Sequence, residues 1–238
     1  MTASLILRGL FVGIVAGFLA FSFAKYFGQP QIDQAFAFEE HLDQGAAPEL
    51  VGREVQSGVG LISGVLVYSA SMGALFALAF ANCVGRVGGL GPRGLAALLA
   101  LGGFVAVIVV PALKYPANPP SIGDPDTLRE RTHLFVLMVM LSVVAMVIAV
   151  NFAAKLLPRH GAWTAALVGI GLYLLVVNLG GSVFPPVNEV PDGFPAESLW
   201  QFRLATLGIQ LVMWSALGLI FGHLTERDFR RLRWQSQR

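Results

Sequence analysis

Apolar residues in this chain gather into six long blocks separated by short polar connections, and few of the blocks show a polar face. The blocks cover residues 5–27, 57–85, 94–114, 133–154, 161–184 and 204–222, and their apolar centres hold no Asp, Glu, Lys or Arg. A helix needs about 20 such residues to cross some 30 Å of hydrocarbon. The pattern predicts an all-α polytopic membrane protein of about six transmembrane helices. Residues 1–238 form a single transmembrane domain that ends in a basic tail, 223–238. The first block has a weakly basic start and a small-residue Ser22-Phe23-Ala24 stretch, as signal peptides do, but is expected to be a retained span.

The polar connections sort by charge. The termini and the even-numbered connections carry ten Lys and Arg residues against only Glu226 and Asp228, a net +8. The opposite side carries six bases and twelve acids, a net −6. Lys and Arg are retained on the cytoplasmic side of a membrane. Both termini are therefore expected inside, with the acidic connections outside. Basic residues such as Arg230, Arg231 and Arg233 then serve as a topology signal and lipid contact, with no nucleic acid required.

Two outer connections resemble each other. Pro116-Ala117-Asn118-Pro119-Pro120 precedes Arg131, and Pro186-Val187-Asn188-Glu189-Val190-Pro191 precedes Arg203; the asparagines lie 70 residues apart and the arginines 72. Each copy is helix, Pro/Asn-rich loop, helix. The expectation is three helical hairpins with parallel internal repeats, related by an axis near the membrane normal. Thr127 and Glu130 have the spacing of a capping box at a helix start. Glycines at helical spacing (Gly9, Gly13 and Gly17; Gly60 and Gly64; Gly218 and Gly222) let helix backbones approach closely in lipid, within the bundle or against a partner helix.

Composition sharpens the picture. The chain is 55% hydrophobic and 13% charged, where soluble domains carry about 25% charged residues. One cysteine, Cys83, excludes an internal disulfide and a cysteine-based metal cluster. No phosphate loop, dinucleotide fingerprint, nucleophile elbow or zinc-protease motif is present, so no enzyme is expected. The densest polar cluster lies in the outer connection after the first span: Asp33, then Glu39, Glu40 and His41. Carboxylates with one imidazole suit a divalent cation of borderline hardness such as cobalt, nickel or zinc. A solvated loop helix accounts for the same spacing. Glu189 is a second candidate, above a pore mouth or paired with Lys114 or Arg203. Asn178 and Gln210 are the deepest strong hydrogen-bonding side chains; with Asn118 and Asn188 they are candidates to line a path. The absence of intramembrane charge disfavours proton coupling through this chain alone.

Several of these stretches, in order, carry a resemblance. Phe27-Gly28-Gln29-Pro30-Gln31-Ile32-Asp33 with Glu39-Glu40-His41, Lys114-Tyr115-Pro116-Ala117-Asn118-Pro119-Pro120 with Gly123-Asp124-Pro125, the Pro186–Pro191 stretch with Phe194-Pro195, Leu199-Trp200 to Arg203-Leu204-Ala205, and Phe221-Gly222 near Glu226-Arg227 are similar to the CbtA family of predicted bacterial cobalt transporter subunits. The resemblance implies a cobalt permease component linked to cobalamin synthesis in the bacterial inner membrane. Cobalt(II) would be the transported ion, with no permanently bound cofactor. It also implies a small single-span, histidine-bearing partner, CbtB; an oligomer is a further expectation. A scaffolding or accessory subunit without transport activity is the competing expectation.

Overall fold

The computed structural model describes residues 2–42, 56–86, 89–120, 122–123, 127–191 and 193–236. Among them the chain is helical, with no strands. The helices are α1 (Thr2–Phe23), α2 (Gln29–Leu42), α3 (Leu61–Cys83), α4 (Pro92–Gly103), α5 (Val110–Lys114), α6 (Leu128–Ser182) and α7 (Ala196–Ser236). Five stretches are long and apolar enough to cross a membrane: Thr2–Phe38, Gly58–Cys83, Pro92–Lys114, Leu128–Ser182 and Ala196–Arg230.

Several of these run past the apolar blocks. A π-helical turn, Ala24–Gly28, joins α1 to α2, so helix continues from residue 2 to residue 42, about 60 Å at 1.5 Å per residue. Another, Phe104–Val109, joins α4 to α5. Proline follows shortly after each, at Pro30 and Pro111. A proline ring clashes with the carbonyl four residues back and removes one helical donor. A widened turn just ahead of it lets the helix go on. Helix α6 has 55 residues and is interrupted at Gly161, whose φ of 76° leaves the right-handed region. Glycine takes that conformation without the Cβ clash other residues meet.

The chain divides into two compact units. The first comprises residues 1–101, 119–121 and 194–238. Here α1 runs antiparallel to α3 on a seam of glycines. A Cβ at Gly9 would run into the carbonyl oxygen of Gly73, and one at Gly13 would lie 2.8 Å from Ala70 Cα. Helix α7 packs on the start of α4 in the same way, Gly218 against Ala100 and Gly222 against Ala96. Phe76 and Phe80 of α3 meet Phe221 of α7 edge to face at 5.4 and 5.1 Å. Two of the three glycine motifs therefore serve packing inside the unit, whereas Gly64 of the third has no atom near an added Cβ.

One end of this unit is stapled by charge. Arg8 binds Asp228 and, at 3.0 Å, the buried hydroxyl of Thr225. Arg93 reaches Glu226 at 3.0 Å and His223 Nδ1 at 3.0 Å, and Arg230 also binds Glu226. The first helix thus begins where the last one ends.

The second unit comprises residues 102–118 and 122–193. Its core gathers Val110, Tyr115, Met138, Ala145, Ala149, Tyr173 and Val177. The two arms of α6 lie against each other: Gly180 abuts Leu141, Gly169 abuts Ala153, and the buried Ser142 hydroxyl lies 2.8 Å from that of Tyr173. The chain reverses at Gly161, and α6 is a helical hairpin.

Candidate functional site

Two polar constructions stand beyond the apolar blocks of the sequence, one in each unit. The first unit carries an antiparallel ladder between α2 and the opening turns of α7. Gln31 Nε2 donates to Gln201 Oε1 at 2.9 Å, Ser198 Oγ donates to Gln34 Oε1 at 2.7 Å, and Phe38 meets Phe194 edge to face at 5.1 Å. The α2 residues fall at i, i+3 and i+7, one face of a helix. Asp33 points away from this face, exposed, and accepts from Gln29 at 2.8 Å. Glu39, Glu40 and His41 fall in the last turns of α2; their side chains lie outside the described residues, as do residues 43–55.

In the second unit Glu189 is the centre. Its Oε2 takes Arg131 Nη1 at 2.7 Å and its Oε1 takes the Thr127 hydroxyl at 2.5 Å. The Glu189 side chain is 10% exposed and that of Arg131 27%. A Cβ at Gly123, where φ is 133°, would sit 3.0 Å from Arg131 Nη1 and 3.2 Å from Glu189 Oε2, so this turn closes over the pair. Tyr115 donates to the Pro185 carbonyl at 2.8 Å. Burial pushes its phenol above the ordinary range. Two loops are thereby clasped, the one after α5 and the one after α6.

The clasp corrects two expectations. Glu189 pairs with Arg131 rather than with Lys114, whose ammonium lies 6.0 Å from the Tyr115 ring centroid, or Arg203. The capping box at Thr127 does not form, because the hydroxyl is spent on Glu189 instead of a backbone N–H of its own helix. A charged acceptor makes the stronger hydrogen bond.

The deep polar side chains divide. Asn178 is exposed on α6 and turns back to the Leu174 carbonyl at 2.8 Å. Gln210 lies within hydrogen-bonding range of the Tyr68 hydroxyl, and its Oε1 is buried without a partner. Trp214 Nε1, one turn further along α7, is likewise buried without one. Asn188 is exposed and Asn118 half-buried, both in the second unit.

Among the described residues, no group of three or more His, Cys, Asp or Glu side chains converges as a metal site. The sequence reading missed the Gln31–Gln201 contact and the pairing of Arg8 with Asp228. The first had a signal in the sequence, as stripes: Gln31, Gln34 and Phe38 on α2, and Phe194, Ser198 and Gln201 just before and along the start of α7.

No curated protein and no solved structure matches the chain. A family model described as "Probable cobalt transporter subunit (CbtA)" matches residues 2–226. That description names a transporter subunit, which is not an enzyme class. Spanning nearly the whole sequence, the match agrees with the ordered motifs on α2, on both clasped loops and on α7: the chain belongs to the CbtA family.

Proposed function

We propose that this chain is the membrane-embedded permease subunit of a divalent-cation uptake system, with cobalt(II) as cargo and cobalamin synthesis as its destination. The family match over residues 2–226 carries the reading. It is supported by the charge asymmetry, since an outer side with net −6 concentrates cations where they enter. The reversal of α6 at Gly161 supports six crossings in place of five, because a 55-residue helix bent double holds two lengths of about 30 Å or more. The charge bias supports termini on the cytoplasmic side of a bacterial inner membrane.

Capture falls to Glu39, Glu40 and His41 at the end of α2, with Asp33 two turns earlier on the same helix. Gln210 in the first unit, with a buried carbonyl oxygen, is the best placed of the path-lining candidates; Asn118, Asn188 and Asn178 are candidates within the second. A small single-span, histidine-bearing CbtB-type subunit would complete the system; the family's description as a subunit supports a partner.

A second reading has one observation in its favour. Both Glu189 oxygens are engaged by Arg131 and Thr127, as suits a scaffolding subunit whose outer loops are structural.

Cobalt accumulation in cells expressing the chain with its partner decides between them. The permease reading expects accumulation above an empty vector. Joint substitution of Glu39, Glu40 and His41 by alanine should lower it by about tenfold, as loss of a charge-assisted ligand set implies. Accumulation equal to the empty vector removes the permease reading.

A further inference from the structure

Arg93 stands one residue before the third apolar block and His223 one residue after the sixth, where those helices leave the hydrocarbon. They meet because Gly222 lets the start of α4 press onto α7: a Cβ there would lie 3.1 Å from Arg93 Cα. Arg93 Nη2 then lies 3.0 Å from His223 Nδ1 and its Nε 3.0 Å from Glu226 Oε2, while Arg230 Nη2 binds Glu226 Oε1. His223, Glu226 and Arg230 fall at i, i+3 and i+7, one face of α7.

The cluster presents one kind of polar group to its surroundings. A guanidinium only donates, so His223 Nδ1 accepts, and the neutral ring carries its proton on Nε2. Glu226 gives both oxygens to arginines and its side chain is 16% exposed, against 56% for Arg93 and 71% for Arg230. The acid lies beneath and the cations outside. Among the described residues, the groups left over are donors: Nη1 of both guanidiniums and His223 Nε2. Arg227, next to Glu226 and exposed, adds a further positive charge, while Asp228 is taken by Arg8 of α1. Donors on cationic groups suit a phosphate. An exposed apolar track runs on from them towards the middle of the spans. Leu219 lies four residues before His223 on α7, and Ala97 and Leu101 lie four and eight after Arg93 on α4. A free oxyanion has no use for that track; an acyl chain does.

We propose that Arg93, His223 and Arg230 hold the phosphate of an anionic phospholipid whose acyl chains lie along Leu219, Ala97 and Leu101. Charge complementarity selects the anionic lipid, since a choline headgroup would bring its own cation against the arginines. The site goes beyond the transport reading and does not depend on it.

The full chain, purified in detergent and stripped of lipid, is titrated with phosphatidylglycerol labelled on one acyl chain and with phosphatidylcholine carrying the same label. Phosphatidylglycerol should bind about tenfold tighter, the gain of one hydrogen bond between charged groups. R93Q should weaken it by about tenfold. R230Q, a change at an exposed side chain that the fold should tolerate, should weaken it by about fivefold, the contribution of one basic residue near an anionic lipid. E226Q removes the acid and keeps every donor, so it should bind phosphatidylglycerol at least as tightly as the wild type. R159Q makes the same charge change at an exposed arginine of α6 and should change nothing. Equal affinity for the two lipids overturns the proposal, as does wild-type binding in both R93Q and R230Q. It is overturned equally if R159Q weakens binding as much as R230Q, which leaves general charge attraction, or if E226Q weakens it as much as R93Q, which leaves a structural staple. Inorganic phosphate that displaces the labelled lipid at equal concentration would make the ligand a free oxyanion and overturn the lipid assignment.

Discussion

Gly73→Leu is expected to yield almost no folded protein, whereas Gly64→Leu on the same helix is expected to be nearly silent. The difference is geometric. At Gly73 even a Cβ would run into the Gly9 carbonyl oxygen and lie 2.9 Å from Gly13 Cα. The obstacles are backbone atoms, which cannot rotate away, so α1 and α3 would have to separate. Overpacking in a yielding core costs about 1–3 kcal/mol. Prying two backbones apart costs more, out of a total stability of about 5–15 kcal/mol. In lipid the loss is compounded, because close approach of small residues is itself what holds such helices together. Gly64 has nothing within 4 Å of the added Cβ, and its substitution should change stability by about 0.5 kcal/mol or less. The monodisperse fraction recovered in mild detergent, followed by thermal unfolding, measures both. Equal recovery of the two variants would contradict the glycine seam.

The second large effect is at Glu189. Glu189→Leu should destabilise the chain by about 2–4 kcal/mol, because it strands the half-buried Arg131 guanidinium and the Thr127 hydroxyl. Glu189→Leu combined with Arg131→Leu should recover at least half of that loss, since replacing both partners removes the uncompensated charge. The pair of variants also separates structure from transport. If Glu189 serves only the clasp, cobalt uptake returns with stability in the double variant. If its carboxylate meets the cation, uptake stays lost in a stable protein.

Much of this architecture was legible along the chain because the bilayer imposes a simple rule. Uninterrupted apolar length marks a span, and the structure places helix over every block. The ends were harder to read. Helix α2 continues beyond the first span through residues too mixed in polarity to mark a span, sustained by pairing with α7 at Gln31, Gln34 and Phe38. Only Pro30 hinted that the backbone needs a wider turn to pass into it. The break in α6 was visible as Pro158 and Gly161, which the hydrophobic pattern already separated.

The candidate site was less legible, for a different reason. Glu189 had several bases within reach in sequence, and tertiary geometry chose Arg131. Glu226 and Asp228 entered the charge count as two acids opposing the basic side. In the fold they hold Arg93, Arg230 and Arg8, joining α1 and α4 to α7. Charge totals carry orientation, but they do not say which charges meet. Gln31 escaped notice because a glutamine is informative only once its burial and its unpaired oxygen are known.

The central claim is that this chain itself conducts a divalent cation across a membrane. Its most direct test is the purified chain in proteoliposomes enclosing a cobalt-quenched fluorophore, with and without its partner. The account predicts quenching on external cobalt(II) faster than in protein-free liposomes. Quenching no faster than in protein-free liposomes, with the partner present, would contradict it and leave a scaffold.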